Sequence, residues 1–314
     1  MDQKNVLPWI VPSSKDLSYE EYLSYTKDSL AHVFGANLGD PKSFPFDQYV
    51  DNTDHGAVHA YNVYKRACAT ADTYEAQTGQ KIDRPLLYIM STMHDSGRFR
   101  YSVPNSEDTP AQIKAKENKR GKAEKEHARY GVAQIKLAKQ KLQEAGIQCS
   151  DEEFKKIENY ILNHDFFNTR LDGDSYSEPQ SIEGQIVRLS DRTSVPVTEE
   201  IDRYRETGKR LGTPYFVENI DLKDRLDFSF PKVKQYIMSW KFDEFTFFLA
   251  LLSQSASDFS DPVLAGIYQE WAKSKQAGVS KILSIAKEEG YTQEQLKKME
   301  ILIKEYFEYF NITF

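Results

Sequence analysis

The chain contains six histidines, and five of them stand in an ordered series with acidic companions. His55 and His59 come first, then the doublet His94-Asp95, then His127 and His164, and Asp191 closes the run. Imidazole and carboxylate together are the ligand set of a borderline transition metal such as iron, manganese or zinc. A lone histidine on a helix is more often a hydrogen-bonded structural residue, and His32 in SLAHVFG is read that way. The other five have to be explained jointly. His55-x-x-x-His59 alone would suit a zincin helix, but Gly56 stands where that motif needs its glutamate base. The candidate metal ligands at this point are His55, His59, His94, Asp95, His127, His164 and Asp191.

Five helical segments must bring these residues together. Asn52, Thr53 and Asp54 offer N-caps to a helix that starts before His55 and stops at Gly79, so His55 and His59, four apart, would share one of its faces. Asp83 and Pro85 open the next helix, PLLYIMSTMHD, which is apolar on most sides and therefore central. It ends at Ser96-Gly97, leaving His94 and Asp95 where the chain turns. The lysine-rich stretch from Arg100 to His127 reads as a solvated loop or helix face, with a lid over the site as the other reading. His127 then opens a long helix closed by Gly146. Ser150 and Glu153 form a capping box for DEEFKKIENYILNH, which His164 closes, and Asp191 lies in the last turn of SIEGQIVRLSDRTS. Ligands from several facing helices are the pattern of a metal site inside a helical bundle.

Outside this region the pattern stays helical. Residues 1–48 form an N-terminal extension with Pro8, Pro12, Pro41 and Pro45 and one helix near Tyr19 to Phe34. Residues 49–197 are the metal-bearing domain, and residues 198–314 form a helical region expected to pack on it. Four amphipathic segments are read there: FPKVKQYIMSW, FDEFTFFLALLSQSA, PVLAGIYQEWAKSKQAGVSKILSIAKEEG and TQEQLKKMEILIKEYFEYF. Their aromatics (Trp240, Phe245, Phe247, Phe248, Tyr306, Phe307, Tyr309, Phe310) read as core, and could also cover the metal cavity or form a homodimer face. No strand-turn-strand pattern competes, so the fold class is all-α.

Lys and Arg number 41 against 48 Asp and Glu, a formal charge of −7. That balance argues against a nucleic-acid polymer as partner, so the attraction for a small anionic substrate would have to be local. Cys68 and Cys149 have neither ligand nor disulfide spacing and fit a reduced, cytoplasmic protein. The N-terminus lacks a signal peptide's apolar stretch, and FTFFLALL falls far below the ~18 residues that span a bilayer, so no membrane partner is expected.

The pieces HAYNV, YIMSTMHDSGRF, EHARYGV, ILNHD and IVRLSDRTS resemble the HD-domain superfamily of metal-dependent phosphohydrolases over roughly residues 50 to 195. The resemblance implies an HD-domain helical bundle with its metal site between helices and a C-terminal helical extension. It implies one ion held by His59, His94, Asp95 and Asp191. His127 and His164 are similar to the extra histidines of binuclear members, where the doublet aspartate bridges two ions. The resemblance is weaker to the cyclic-dinucleotide branch, which has His-His at the fourth station, a Gly-Tyr-Pro signature and lysine after the doublet. This chain has His164-Asp165, no such signature, and Arg98. His55 stands where some trinuclear relatives place a glutamate. It is read as an orienting partner of the ligands rather than a third-metal ligand.

Two divalent ions carry +4 and Asp95 with Asp191 return −2, so the site keeps a positive surplus for a phosphate. A metal-activated hydroxide would attack phosphorus, with Fe, Mn or Zn, or alternatively Mg, as the ions. Arg98, three residues after Asp95, is the expected phosphate clamp. Arg192 is a weaker choice, and Lys119, Arg120, Lys209 and Arg210 are candidates for gating entry. The expected substrate is a small phosphorylated metabolite or nucleotide, as a phosphomonoester or phosphodiester. Two other functions are compatible with the residues. One is a mixed-valent diiron oxygenase of the HD type. The other is a non-catalytic helical sensor that binds a nucleotide.

Overall fold

The computed structural model describes residues 16–35, 38–40, 43–52, 55–100, 109–147, 150–164, 178–226, 243–253 and 259–309. Among them the secondary structure is helical, with one isolated bridge between Leu38 and Phe44. The chain divides into two compact units, Met1–Ser194 and Val195–Phe314. The division lies three residues before the boundary read from the sequence, and it groups the N-terminal stretch with the histidine-bearing helices.

In the first unit the helices are α1 (Tyr19–Phe34), α2 (Phe46–Asp51), α3 (Ala57–Thr78), α4 (Arg84–Met93), α5 (Pro110–Glu144), α6 (Asp151–Asn163) and α7 (Ile182–Thr193). A 3-10 turn, Ser96–Arg100, follows α4. Local chemistry sets most of these limits. Ser18 and Glu21 close a capping box at the start of α1, and Gly79 ends α3 in the left-handed region at φ 75°. Asp83 accepts from the Leu86 amide with Pro85 in the first turn of α4. Every residue of α4 from Leu86 to Met93 is buried, as its all-round apolar sequence requires. Helices α3, α6 and α7 pack against it, and α5 packs on α6 and on the 3-10 turn.

Helix α1 braces α4 through polar groups in an apolar setting. The Tyr22 hydroxyl lies 3.2 Å from that of Tyr49 and 2.9 Å from Thr92 Oγ1, and the Tyr88 hydroxyl lies 2.9 Å from Thr26 Oγ1. Tyr49 of α2 meets Phe99 of the 3-10 turn edge-on at 5.5 Å. The stretch N-terminal to the histidine series therefore supports the helix that carries the doublet.

Two expectations change here. His127 does not open a helix. Pro110 does, and α5 runs 35 residues with Thr109 and Gln112 as its capping box. The stretch rich in Lys, Ala, Glu and Gln that read as loop or surface is good helix-forming sequence, so the helix continues through it. His55, for its part, lies in a turn ahead of α3 rather than on it, because Gly56 takes an extended conformation as N-cap. A Cβ on Gly56 would sit 2.2 Å from the Asn52 carbonyl oxygen and 2.4 Å from that of Tyr49, so the chain turns there on a residue without a side chain.

The second unit holds α8 (Val197–Leu211), α9 (Leu222–Leu226), α10 (Glu244–Leu252), α11 (Pro262–Ala272), α12 (Lys275–Glu288) and α13 (Gln293–Tyr309). Helix α8 was not among the segments read from the sequence, and PVLAGIYQEWAKSKQAGVSKILSIAKEEG divides into α11 and α12. Every residue of α10 is buried, and Phe245, Phe247, Phe248, Tyr306 and Phe307 join the core of this unit, whereas Tyr309 is exposed. Trp240, Phe310 and the segment FPKVKQYIMSW lie outside the described residues, as does Cys149; Cys68 is buried in α3 and, among the described residues, forms no disulfide. Arg225 is fully buried, paired with Asp243 at 2.9 Å and flanked by the rings of Phe216 and Phe245. Among the described residues, no helix is long and apolar enough to cross a membrane.

Candidate metal centre

The histidine series converges. Helix α4 ends at Met93, so His94 and Asp95 leave its C-terminal end together, both buried. His59 projects from the first turn of α3, His127 from the middle of α5, His164 from the end of α6 and Asp191 from the last turn of α7. Gly97 makes the arrangement of α5 feasible. A Cβ there would lie 2.0 Å from the His127 carbonyl oxygen, so only glycine lets α5 approach the turn behind the doublet so closely.

Three groups of candidate ligands result: His59, His94 and Asp191; Asp95, His127 and His164; and His55, His59 and Asp95. In the first, His59 Nε2 lies 3.2 Å from His94 Nε2 and 3.0 Å from Asp191 Oδ1, and His94 Nε2 lies 3.7 Å from the same oxygen. In the second, His127 Nε2 and His164 Nε2 are 3.1 Å apart, and lie 3.8 and 3.5 Å from Asp95 Oδ1. Two donors bound to one first-row ion at ~2.1 Å lie ~3.0 to 3.4 Å apart for right-angled to tetrahedral geometry. The His59–His94, His59–Asp191 and His127–His164 spacings fall in that range, and the other three, at 3.5 to 3.8 Å, lie just beyond it.

Asp95 joins the groups. Its Oδ2 faces His55 Nδ1 at 2.9 Å, His94 Nε2 at 3.2 Å and His59 Nε2 at 3.8 Å, while its Oδ1 faces His127 and His164. Arg98 turns back toward the doublet, and its Nε donates to Asp95 Oδ1. The contact it makes is thus with the ligand cluster itself. His55, though outside the helix, stacks edge-on against His59 at 5.5 Å and holds the other oxygen of Asp95.

The tautomers suit metal binding. His94 Nδ1 donates to the Ser91 carbonyl at 2.8 Å, and His164 Nδ1 to the Ile161 carbonyl at 2.7 Å. A carbonyl only accepts, so each Nδ1 carries the proton and each neutral ring turns a bare Nε2 toward the centre. Burial alone would depress His94, but the carboxylates of Asp95 and Asp191 outweigh it and push its pKa up to about 9. Burial likewise opposes ionisation of Asp95, yet Arg98, His94 and His55 hold it well below the usual carboxylate range. Asp191 is lowered too, against desolvation, by His59 and His94. The carboxylate field that favours a proton on His94 would equally favour a cation. The residues fit a metal on distance, tautomer and charge.

One neighbour escaped the sequence reading. Tyr160, one turn before His164 on α6, is fully buried, with its ring 5.9 Å from the His164 ring. Among the described residues its hydroxyl has no hydrogen-bond partner, and burial together with Asp191 and Asp95 raises its pKa well above the phenol range. The i, i+4 spacing to His164 was the available signal. The remaining basic candidates converge less. Arg192 is half-buried beside Asp191, Lys209 is exposed and pairs with Glu206, and the side chains of Lys119, Arg120 and Arg210 lie outside the described set. His32 is exposed at the end of α1, away from the series.

Residues 56–195 match the family model described as HD domain. Over these residues the chain is similar to an HD domain. The match spans α3 to α7 and includes all six candidate ligands, with His55 one residue ahead of it. HD domains bind divalent metals and are generally metal-dependent phosphohydrolases. Comparison with curated proteins gives no match, and neither does comparison with solved structures.

Proposed function

We propose that this HD domain is a metal-dependent phosphohydrolase with two ions, acting on a small phosphorylated metabolite or nucleotide. The observation that supports the reading is the division of Asp95, whose two oxygens face separate histidine pairs. His59, His94, Asp95 and Asp191 would hold one ion, and His127 and His164 the second, with Asp95 shared. Divalent ions so held supply Lewis-acid charge for phosphoryl oxygens and lower the pKa of a bound water toward ~7.

The protein's own residues prepare that chemistry. Arg98 keeps Asp95 ionised and fixes its Oδ1 edge. The Ser91 and Ile161 carbonyls fix two imidazoles so that their nitrogens converge without rearrangement. His55 Nδ1 lies 2.9 Å from Asp95 Oδ2 and adds to the charge that keeps this carboxylate ionised. Helix α4, buried on all sides, keeps the doublet away from bulk water.

The test is metal analysis of protein purified without added metal, followed by a phosphoester panel with Mn, Zn, Fe and Mg. Phosphate release from small phosphoesters, lost on chelation, is expected. Strict dependence on Fe with O₂ consumption would replace the reading with an oxygenase. Stoichiometric nucleotide binding without turnover across the panel would replace it with a sensor.

A further inference from the structure

Tyr160 is placed for a ligand that the protein alone does not provide. Its hydroxyl is excluded from solvent and, among the described residues, has no hydrogen-bond partner. Buried hydroxyls in folded proteins are nearly always paired, so an orphan beside a cluster of candidate ligands calls for a reason. Position supplies one. Tyr160 and His164 lie one turn apart on α6, and the two rings are neighbours at 5.9 Å. His164 Nε2 in turn lies 3.5 Å from Asp95 Oδ1, so the ring that Tyr160 neighbours belongs to the group that shares this carboxylate. The Tyr160 Cβ stands 3.4 Å from where a side chain on Gly184 would begin, so α7 packs tightly behind the tyrosine.

A phenol in that place is a hydrogen-bond donor left available to an acceptor that arrives with the substrate. We infer that Tyr160 donates its hydroxyl proton to a phosphoryl oxygen of bound substrate or of phosphate product, and so belongs to the substrate-binding surface of the site. The inference rests on the phosphohydrolase reading. It asks for an anionic oxygen rather than a carbonyl, because the centre beside it would hold cations and hence an anion upon them. Tyrosine adds direction where the ions supply only charge, since its single O–H fixes the angle at which the oxyanion sits.

The test compares wild type with Tyr160→Phe, both metal-loaded, using inorganic phosphate as the probe. Calorimetry should show phosphate affinity reduced about ten-fold or more, the size expected for a hydrogen bond to a charged acceptor. Metal content should be unchanged. In phosphate-free buffer the variant should melt at or above the wild-type temperature, because phenylalanine removes an unpaired buried hydroxyl. Equal phosphate affinity in the two proteins would overturn the inference. So would a lower melting temperature with phosphate binding intact, which marks a packing role. A drop in bound metal would overturn it as well, by making Tyr160 a ligand. Failure of the hydrolase reading looks different, since metal-loaded wild type would then neither bind phosphate nor release it from any ester.

Discussion

Replacement of Asp95 by asparagine tests the shared-carboxylate arrangement most directly. The amide keeps the volume and one carbonyl oxygen but removes the charge. Asp95 contributes to two of the three ligand groups, and its oxygens are divided between His55 and His94 on one side and His127 and His164 on the other. Loss of an orienting partner of a metal ligand typically lowers affinity ~10- to 100-fold. Loss of a ligand common to both ions should exceed that for each of them. The metal-free protein should suffer too. Arg98 and Asp95 are both buried, with side-chain exposures of 9% and 5%. Breaking a buried pair by neutralising one member costs about 3–5 kcal/mol. For a unit of this size that is a fall of roughly 6–20 °C in melting temperature. The assay is elemental analysis with calorimetry on wild type, Asp95→Asn, His127→Ala and Asp191→Asn. Asp95→Asn should lose both ions, whereas His127→Ala and Asp191→Asn should each lose one. Retention of both ions in Asp95→Asn would refute the reasoning, and so would identical stoichiometry in all three variants.

Three further outcomes are expected. Gly97→Ala should destabilise the first unit by about 2 kcal/mol or more and weaken metal uptake, because its methyl group would collide with the His127 carbonyl at 2.0 Å; thermal melts and metal analysis read both. The folded-state pKa of His94 is raised to about 9 from 6.5, so its contribution to metal-free stability is complete below about pH 6.5 and lost as pH rises through about 9; chelated protein should soften over that window, and a flat profile would contradict it. In the second unit, burial raises the carboxyl of Glu244 to about 7 despite its 2.7 Å hydrogen bond from Arg205, so the folded state binds the proton more tightly than the unfolded chain. Stability should then rise as pH falls from 7 toward 4.5, and Glu244→Gln, measured by denaturant titration across that range, should remove the slope.

The centre was legible because its signal is chemical. Few residue types bind metals, and His59, His94, Asp95, His127, His164 and Asp191 needed only order and helical context to be grouped. Helix ends with strong local chemistry were equally legible, as at Asp83 with Pro85, Gly79 and Ser150. What failed depended on tertiary contact or on weak local preference. The start of α5 lay in polar sequence with no apolar face, so nothing marked residue 110 as helix except propensity and Thr109. His55 left its helix because Gly56 sits against two carbonyls from α2 and the turn after it, a contact that spacing cannot reveal. Tyr160 went unnoticed because an aromatic on the apolar face of an amphipathic helix, like Phe154 before it, reads as core, which by burial it is.

The Ser91 and Ile161 carbonyls belong to the final turns of α4 and α6, where carbonyls run out of intrahelical partners. Each finds its donor in the imidazole three residues on. Ring aim is thereby written into the main chain, twice and in the same way. Swapping neighbours around His94 or His164 should leave their bearing intact, while extending either helix by a single residue would swing the ring off target.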